Sequence, residues 1–141
     1  MRITTHLEFP YKRSLGPCVG AFAAGLREGT LLGARTGDGR VLVPPVEWDP
    51  ATGEPLALDL VPVGPEATFT SWTWVAEPSG MHPLGRPFAF AQLRPDGADT
   101  TLVHVVDAGD LTAMATGMRV RPRWRAQRAG RIDDIECWVP A

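Results

Sequence analysis

The chain has 141 residues, 44% of them hydrophobic and 21% charged, with a formal net charge of −2 at pH 7. That length supports one ordinary core but not two full domains, and the composition lies away from the disordered range. The charge supplies no global field that would draw the molecule to nucleic acid or to an anionic membrane, so any anion site has to be local. No run approaches the roughly 18 apolar residues of a membrane span, and the opening MRITTHLEFPYKRS lacks the apolar centre of a signal peptide, so a cytoplasmic protein is expected. Cys18 and Cys137 are too few for a secreted disulfide framework and are expected as buried free thiols.

Residues 1–17 mix polar, aromatic and proline residues without a sustained period and read as an arm that needs a surface to lie on. From Cys18 to about Leu32, Val19, Phe22, Ala23, Leu26 and Leu31 fall near one stripe at helical spacing, with Gly16-Pro17 at the start and an expected end near Gly29. Residues 33–57 hold one short predicted strand, Arg40 to Val43, between the turn clusters Thr36-Gly37-Asp38-Gly39 and Asp49-Pro50-Ala51-Thr52-Gly53. Strands are predicted next over 58–63 and 67–75, the second carrying Phe69, Trp72 and Trp74 among Thr and Ser. After a loop over 76–87, Phe88–Leu93 and Thr101–Val106 form a predicted hairpin across Asp96-Gly97. A turn or two of helix is predicted over 107–116, then strands over 118–125 and 131–139.

Five strands with a short helix between the third and the fourth is the order of an OB barrel. The expected architecture is therefore mostly β: an arm and helix (1–32), a ribbon-like segment (33–57) and an OB-fold domain (58–141), with a generic β-sandwich as the alternative.

The chain from Phe22 onward resembles the acyl-CoA-associated OB-fold family, a domain of unknown function whose members combine an N-terminal helix, a rubredoxin-like zinc ribbon and an OB domain. The likeness rests on Gly25-Leu-Arg-Glu-Gly-Thr-Leu-Leu32, Gly39-Arg-Val-Leu-Val-Pro-Pro45, Thr70-Ser-Trp-Thr-Trp-Val75, Phe88-Ala-Phe-Ala-Gln-Leu93 and Gly117-Met-Arg-Val120, in that order and spacing. The family's four zinc cysteines align with Arg35, Asp38, Asp49 and Thr52, none of which is a thiolate or imidazole. Structural zinc needs such donors, so zinc is not expected, and an ion pair from Arg35 to Asp38 or Asp49 is expected to replace part of the cross-link. Members of the family accompany thiolases, ketoacyl synthase-like enzymes and the thiolase-fold aldolases of steroid side-chain breakdown. The resemblance thus implies a non-catalytic subunit that supports a thiolase-like partner, with no cofactor of its own and with a coenzyme A thioester at a site shared with that partner.

Met118-Arg-Val-Arg-Pro-Arg-Trp-Arg125 is the sharpest feature that owes nothing to the resemblance. On a strand, Arg119, Arg121, Arg123 and Arg125 share one face at spacings of roughly 6.6 to 7 Å, with Val120, Pro122 and Trp124 on the other. A solvated edge strand, an acidic partner surface, coenzyme A phosphates and nucleic acid are the readings open for such a row. Trp72 and Trp74 share a strand face and are expected in a core or an interface rather than as base-stacking platforms. His82, in the loop with Arg86, could reach a partner's site, whereas His104, within Leu102-Val-His-Val-Val106, reads as a partly buried strand histidine. No nucleophile, base and orienting group form a recognisable catalytic motif. A freestanding OB module for nucleic acid or another anionic ligand is the alternative function, and an independent hydrolase or aldolase has no residue cluster behind it.

Overall fold

The computed structural model describes residue 1 and residues 3–141. The first regular element, α1 (Gly16–Arg27), has Pro17 in its opening turn and buries Cys18, Phe22 and Leu26, spaced four apart on one face. Gly29, at φ +75°, ends the helical run. The Thr30 N–H donates to the Gly25 carbonyl at 2.8 Å and closes the helix terminus. Leu31, placed on the helical stripe by its spacing, therefore lies in the next element instead: the left-handed glycine turns the chain into a strand.

That strand, β1 (Leu31–Arg35), is central in a three-stranded antiparallel sheet with β2 (Val41–Leu42) and β3 (Leu60–Val63), in the order β2-β1-β3. The strand predicted over 58–63 thus pairs with β1, Leu31 opposite Val63 and Ala34 opposite Leu60. Gly33 is required for this packing: a Cβ there would lie 2.6 Å from Val41 Cγ1 and 2.9 Å from Val43 Cγ2.

β4 (Ala67–Val75), β5 (Phe88–Pro95), β6 (Leu102–Val106), β7 (Arg119–Trp124) and β8 (Ile135–Pro140) close into a barrel in the order β4-β5-β6-β8-β7. All pairs are antiparallel except β6 with β8, which are parallel at Val106 and Trp138. This is the OB-type arrangement expected from the strand count. Its interior is apolar, with Ala67, Phe69, Leu93, Val106, Val120 and Ile135 fully buried. The helix predicted over 107–116 is reduced to a 3-10 turn, Leu111–Ala113, because Asp110 Oδ1 accepts from the Thr112 N–H at 2.8 Å and Met114 leaves the turn to enter the core. The last strand starts at Ile135, four residues later than predicted. Asp134 accepts from the N–H groups of Ala129, Gly130 and Arg131 at 2.7 to 3.0 Å and holds that stretch as a loop.

Two junctions fix the parts together. The β7–β8 loop docks on α1, with Arg27 Nη2 donating to the Ala129 carbonyl at 3.1 Å and Arg128 Nε to the Arg27 carbonyl at 2.8 Å. The β5–β6 turn closes the outer edge of β2: Asp99 accepts from the Val41 N–H, and Thr100 Oγ1 accepts from the Val43 N–H at 2.7 Å.

Candidate functional site

The two turns flanking β2 face one another. Arg35, Asp38, Asp49 and Thr52, the positions aligned with the family's cysteines, all line one cleft of about 400 Å³ between them. The cross-link there comes from Arg40. Its Nε donates to Asp38 at 2.9 and 3.0 Å, and its Nη2 donates to Asp49 at 2.9 and 3.2 Å. The expected ion pair from Arg35 is not formed. Arg35 ends β1 opposite the start of β3, so its guanidinium meets Asp59 at 3.3 Å instead. The side-chain hydrogen bond from Thr36, then that from Arg40, hold the Asp38 carboxyl down at about 2. This donor set does not fit structural zinc: Arg35 has no lone pair to give, and a guanidinium bridges the only two carboxylates among the four positions. Among the described residues no group of three or more His, Cys, Asp or Glu is placed to hold a metal ion.

The arginines of β7 follow the expected alternation only in part. Val120 is buried between exposed Arg119 and Arg121, but a register shift between Arg123 and Trp124 ends the row. Arg125 lies beyond the strand and donates to the Asp133 carbonyl at 2.7 Å. Arg119 is a two-pronged partner of Asp96, at 2.7 and 2.5 Å, and also reaches Glu66 at 2.8 Å and Thr68 Oγ1 at 3.0 Å. Arg123 Nε donates to Glu136 at 2.8 Å. A guanidinium whose fork already holds carboxylates has little left for a phosphate. Arg121 is the one of these four whose guanidinium makes neither an ion pair nor a hydrogen bond among the described residues, Arg125 being held by a backbone carbonyl.

Trp72 and Trp74 are half-buried and pack against the barrel core, opposite Ala91 and Ala89, whose small side chains leave room for the indoles. The outer surface beside Trp72 is formed by Ser71, Thr73, Phe90, Gln92 and Val103 and carries no charge, unlike a basic base-stacking groove. His82 Nδ1 accepts from the Ser79 N–H at 2.8 Å, and its ring meets Phe88 and Phe90 at centroid distances of 5.7 and 6.4 Å. Arg86 is ion-paired with Asp107. Both loop residues predicted to face a partner therefore also organise their own loop.

His104 is buried on β6, where its Nε2–H donates to the Ile132 carbonyl at 3.2 Å and burial lowers its pKa, which keeps the imidazole neutral. Cys18 and Cys137 are free and buried, and burial raises both thiol pKa values, the opposite of an activated nucleophile.

Two features had no counterpart in the sequence reading. A cleft of about 240 Å³ opens at the seam between sheet and barrel, lined by Thr30, Pro62, Pro122, Trp124 and Trp138 among others. Trp138 is fully buried and its indole N–H has no hydrogen-bond partner among the described residues. The second is an exposed apolar surface: Trp48 and Leu58 are each 59% exposed, and Leu7, Phe9 and Tyr11 of the arm are 77, 75 and 81% exposed. Nothing distinguishes Trp48 locally from a core tryptophan except its place between two turn clusters.

No family model matches the sequence, and no curated protein matches it. Among solved structures, the fold is similar to a protein of unknown function from the DUF35 family of Sulfolobus solfataricus, with a TM-score of 0.62 and 19% identity over 76% of this chain and 78% of that one. It is also similar to a chain of the Ltp2-ChsH2(DUF35) aldolase, with a TM-score of 0.66 and 15% identity over 92% of this chain and 98% of that one. At these identities the likeness establishes the fold, and both of these structures bear the DUF35 name.

Proposed function

We propose that this chain is an accessory subunit of a thiolase-like acyl-CoA enzyme, a thiolase or a thiolase-fold aldolase of the kind used in steroid side-chain degradation. The observation that carries this reading is the end-to-end correspondence with a DUF35 chain of an aldolase, spanning 92% of this chain and 98% of that one. The side chains support it. The cysteines are buried with raised pKa values, His104 is buried and neutral, and His82 is engaged by Ser79, so the reacting groups come from the partner and this chain contributes surface and stability. Coenzyme A thioester is then met only at a site shared with that partner. On the β7 face Arg121 is the guanidinium left to serve there, since Arg119 and Arg123 hold carboxylates of their own barrel.

The test is co-expression with a thiolase-like aldolase subunit of the same organism, followed by size-exclusion chromatography and an assay of acyl-CoA cleavage. A stable complex is expected, with turnover dependent on the partner and none from the chain alone. Turnover by the isolated chain overturns the accessory reading. So does a thiolase-like subunit that neither binds this chain nor gains solubility or activity from it.

A further inference from the structure

Residues 3–15 are all exposed. Among the described residues none of residues 3–13 makes a hydrogen bond, so the backbone of this stretch is free to pair. No period is sustained over residues 1–17 as a whole, but within 3–11 Ile3, Thr5, Leu7, Phe9 and Tyr11 occupy every odd position, while Thr4, His6, Glu8 and Pro10 occupy the even ones. An apolar row at period two, β-branched or aromatic at four of its five positions, is a strand that buries one face. We propose that residues 3–11 add as an outer strand to the exposed sheet edge of the partner subunit, burying Leu7, Phe9 and Tyr11 against it. The inference rests on the accessory-subunit reading and names the contact through which that assembly forms.

Pro10 determines which side pairs. In a strand the N–H and C=O of one residue point to the same side, and those of the next residue to the other. Proline has no N–H and is tolerated only where that position faces away from the ladder. The even positions therefore face solvent, and the odd ones donate to and accept from the partner edge. The arm can join a sheet along one side only, as a terminal strand, which is the geometry of strand addition in peptide recognition.

The sheet of this chain is a poor receiver for a second copy, since β2 is capped by Asp99 and Thr100 and β3 is four residues long with Pro62 inside it. The barrel closes between β4 and β7 at Ala67 and Thr68, which leaves the far half of β4 as the edge a second copy would use. On the accessory-subunit reading the receiving edge is assigned to the partner, and self-association through the arm is an outcome of the test. The contact continues onto the body of the molecule, because the arm joins α1 at a groove of about 250 Å³ lined by Pro17, Val46, Trp48 and Leu58. Three of these, Val46, Trp48 and Leu58, are exposed hydrophobics, and an exposed tryptophan beside an apolar strand has the chemistry of an interface anchor.

The test uses the full chain and the co-expressed thiolase-like aldolase subunit, with affinity read by calorimetry. Phe9→Asp is expected to weaken the complex about tenfold or more, with the melting temperature of the free chain unchanged because Phe9 is 75% exposed in it. A proline pair separates strand pairing from mere apolar contact. Thr5→Pro removes an N–H from the ladder side and is expected to weaken binding by about tenfold, whereas His6→Pro, with the parity of Pro10, binds within about twofold of wild type. Phe9→Asp binding like wild type overturns the inference while leaving the accessory reading standing. Equal effects of the two prolines overturn strand addition. A wild-type chain that does not bind the subunit overturns the accessory reading and this inference with it. A free chain that sediments as a dimer, and as a monomer when Phe9→Asp is introduced, overturns the assignment to a different protein.

Discussion

The barrel and the three-stranded sheet are both antiparallel in the main and share one apolar core, into which the sheet sends Leu31, Val41, Val43 and Val63, but the turns of the sheet are held to each other by a charged cross-link. The barrel encloses Phe69, Leu93, Val106, Val120 and Ile135 in a dry interior and draws its stability from apolar area removed from water. The sheet has strands of five, two and four residues, and beyond β2 its turns are joined by Arg40, which bridges Asp38 and Asp49. The staple across these turns is one guanidinium that holds two carboxylates. Ion pairs near solvent are weak cross-links, so this end of the sheet is expected to be the first part of the molecule to loosen.

The contrast is sharpest in the cores. Phe69→Ala, in the barrel interior, is expected to cost about 3 to 5 kcal/mol in a denaturant melt, the sum of lost transfer energy and an unfilled cavity. Trp74→Ala, half-buried over the same core, is expected to cost about 2 kcal/mol. Trp48→Ala beside the sheet is expected to leave stability within about 0.5 kcal/mol of wild type, because that indole is mostly in water. A Trp48→Ala loss as large as that of Trp74→Ala would place Trp48 in the fold rather than in a contact, and the distinction drawn between the two regions would fail.

The same contrast explains what the sequence could show. The barrel strands were legible because their pattern is local: Trp72 and Trp74 alternate with Ser and Thr, and Asp96-Gly97 marks the hairpin between two apolar runs, while Phe69, of the other parity, is set apart from the two tryptophans by a register shift before Ser71. β2, two residues long, lies within the strand predicted over Arg40 to Val43, whereas β1 was missed because its first residues continue the helical stripe. The end of α1 near Gly29 was legible, but Leu31, which continues the helical spacing, belongs to the strand that follows that glycine. The arginine row holds as a pattern only in part, and the acidic groups that pair with Arg119 and Arg123 lie 13 to 53 residues away, so that nothing in the local sequence reports them. The replacement of Arg35 by Arg40 as the clip has the same origin, since both flank the turn and only the pairing of β1 with β3 decides which one faces Asp49. The alternation of the arm was hidden by reading residues 1–17 as one window.

The clip can be removed without touching the core. Arg40→Ala leaves Asp49, whose side chain is 7% exposed, with no cation beside it. The expected result is local: amide exchange across residues 36–54 rises by about tenfold while the barrel amides stay protected, the signature of a sub-global opening. Arg40→Lys should not restore protection, because one ammonium cannot hold two carboxylates bidentately. If protection falls equally in the sheet and the barrel, the two are a single cooperative unit.

The smallest expected effect is an acid titration. Asp38 has its carboxyl held at about 2, below its usual 3.8, so the ionised form is favoured in the fold, and the stabilisation it brings is present above the unfolded value and lost as pH falls from about 4 through about 2. The amides of Gly37 and Gly39 report the step by NMR, with an expected midpoint near pH 2. The Thr36 hydroxyl is the larger cause of the shift and Arg40 the second. Thr36→Val is therefore expected to move the midpoint up further than Arg40→Gln does, although only Arg40 spans the two turns. The reverse order would make the cross-turn ion pair, not the turn's own hydroxyl, the group that keeps Asp38 charged. In that case the sheet would loosen in acid as soon as Asp38 protonates and releases Arg40, before any change in the barrel.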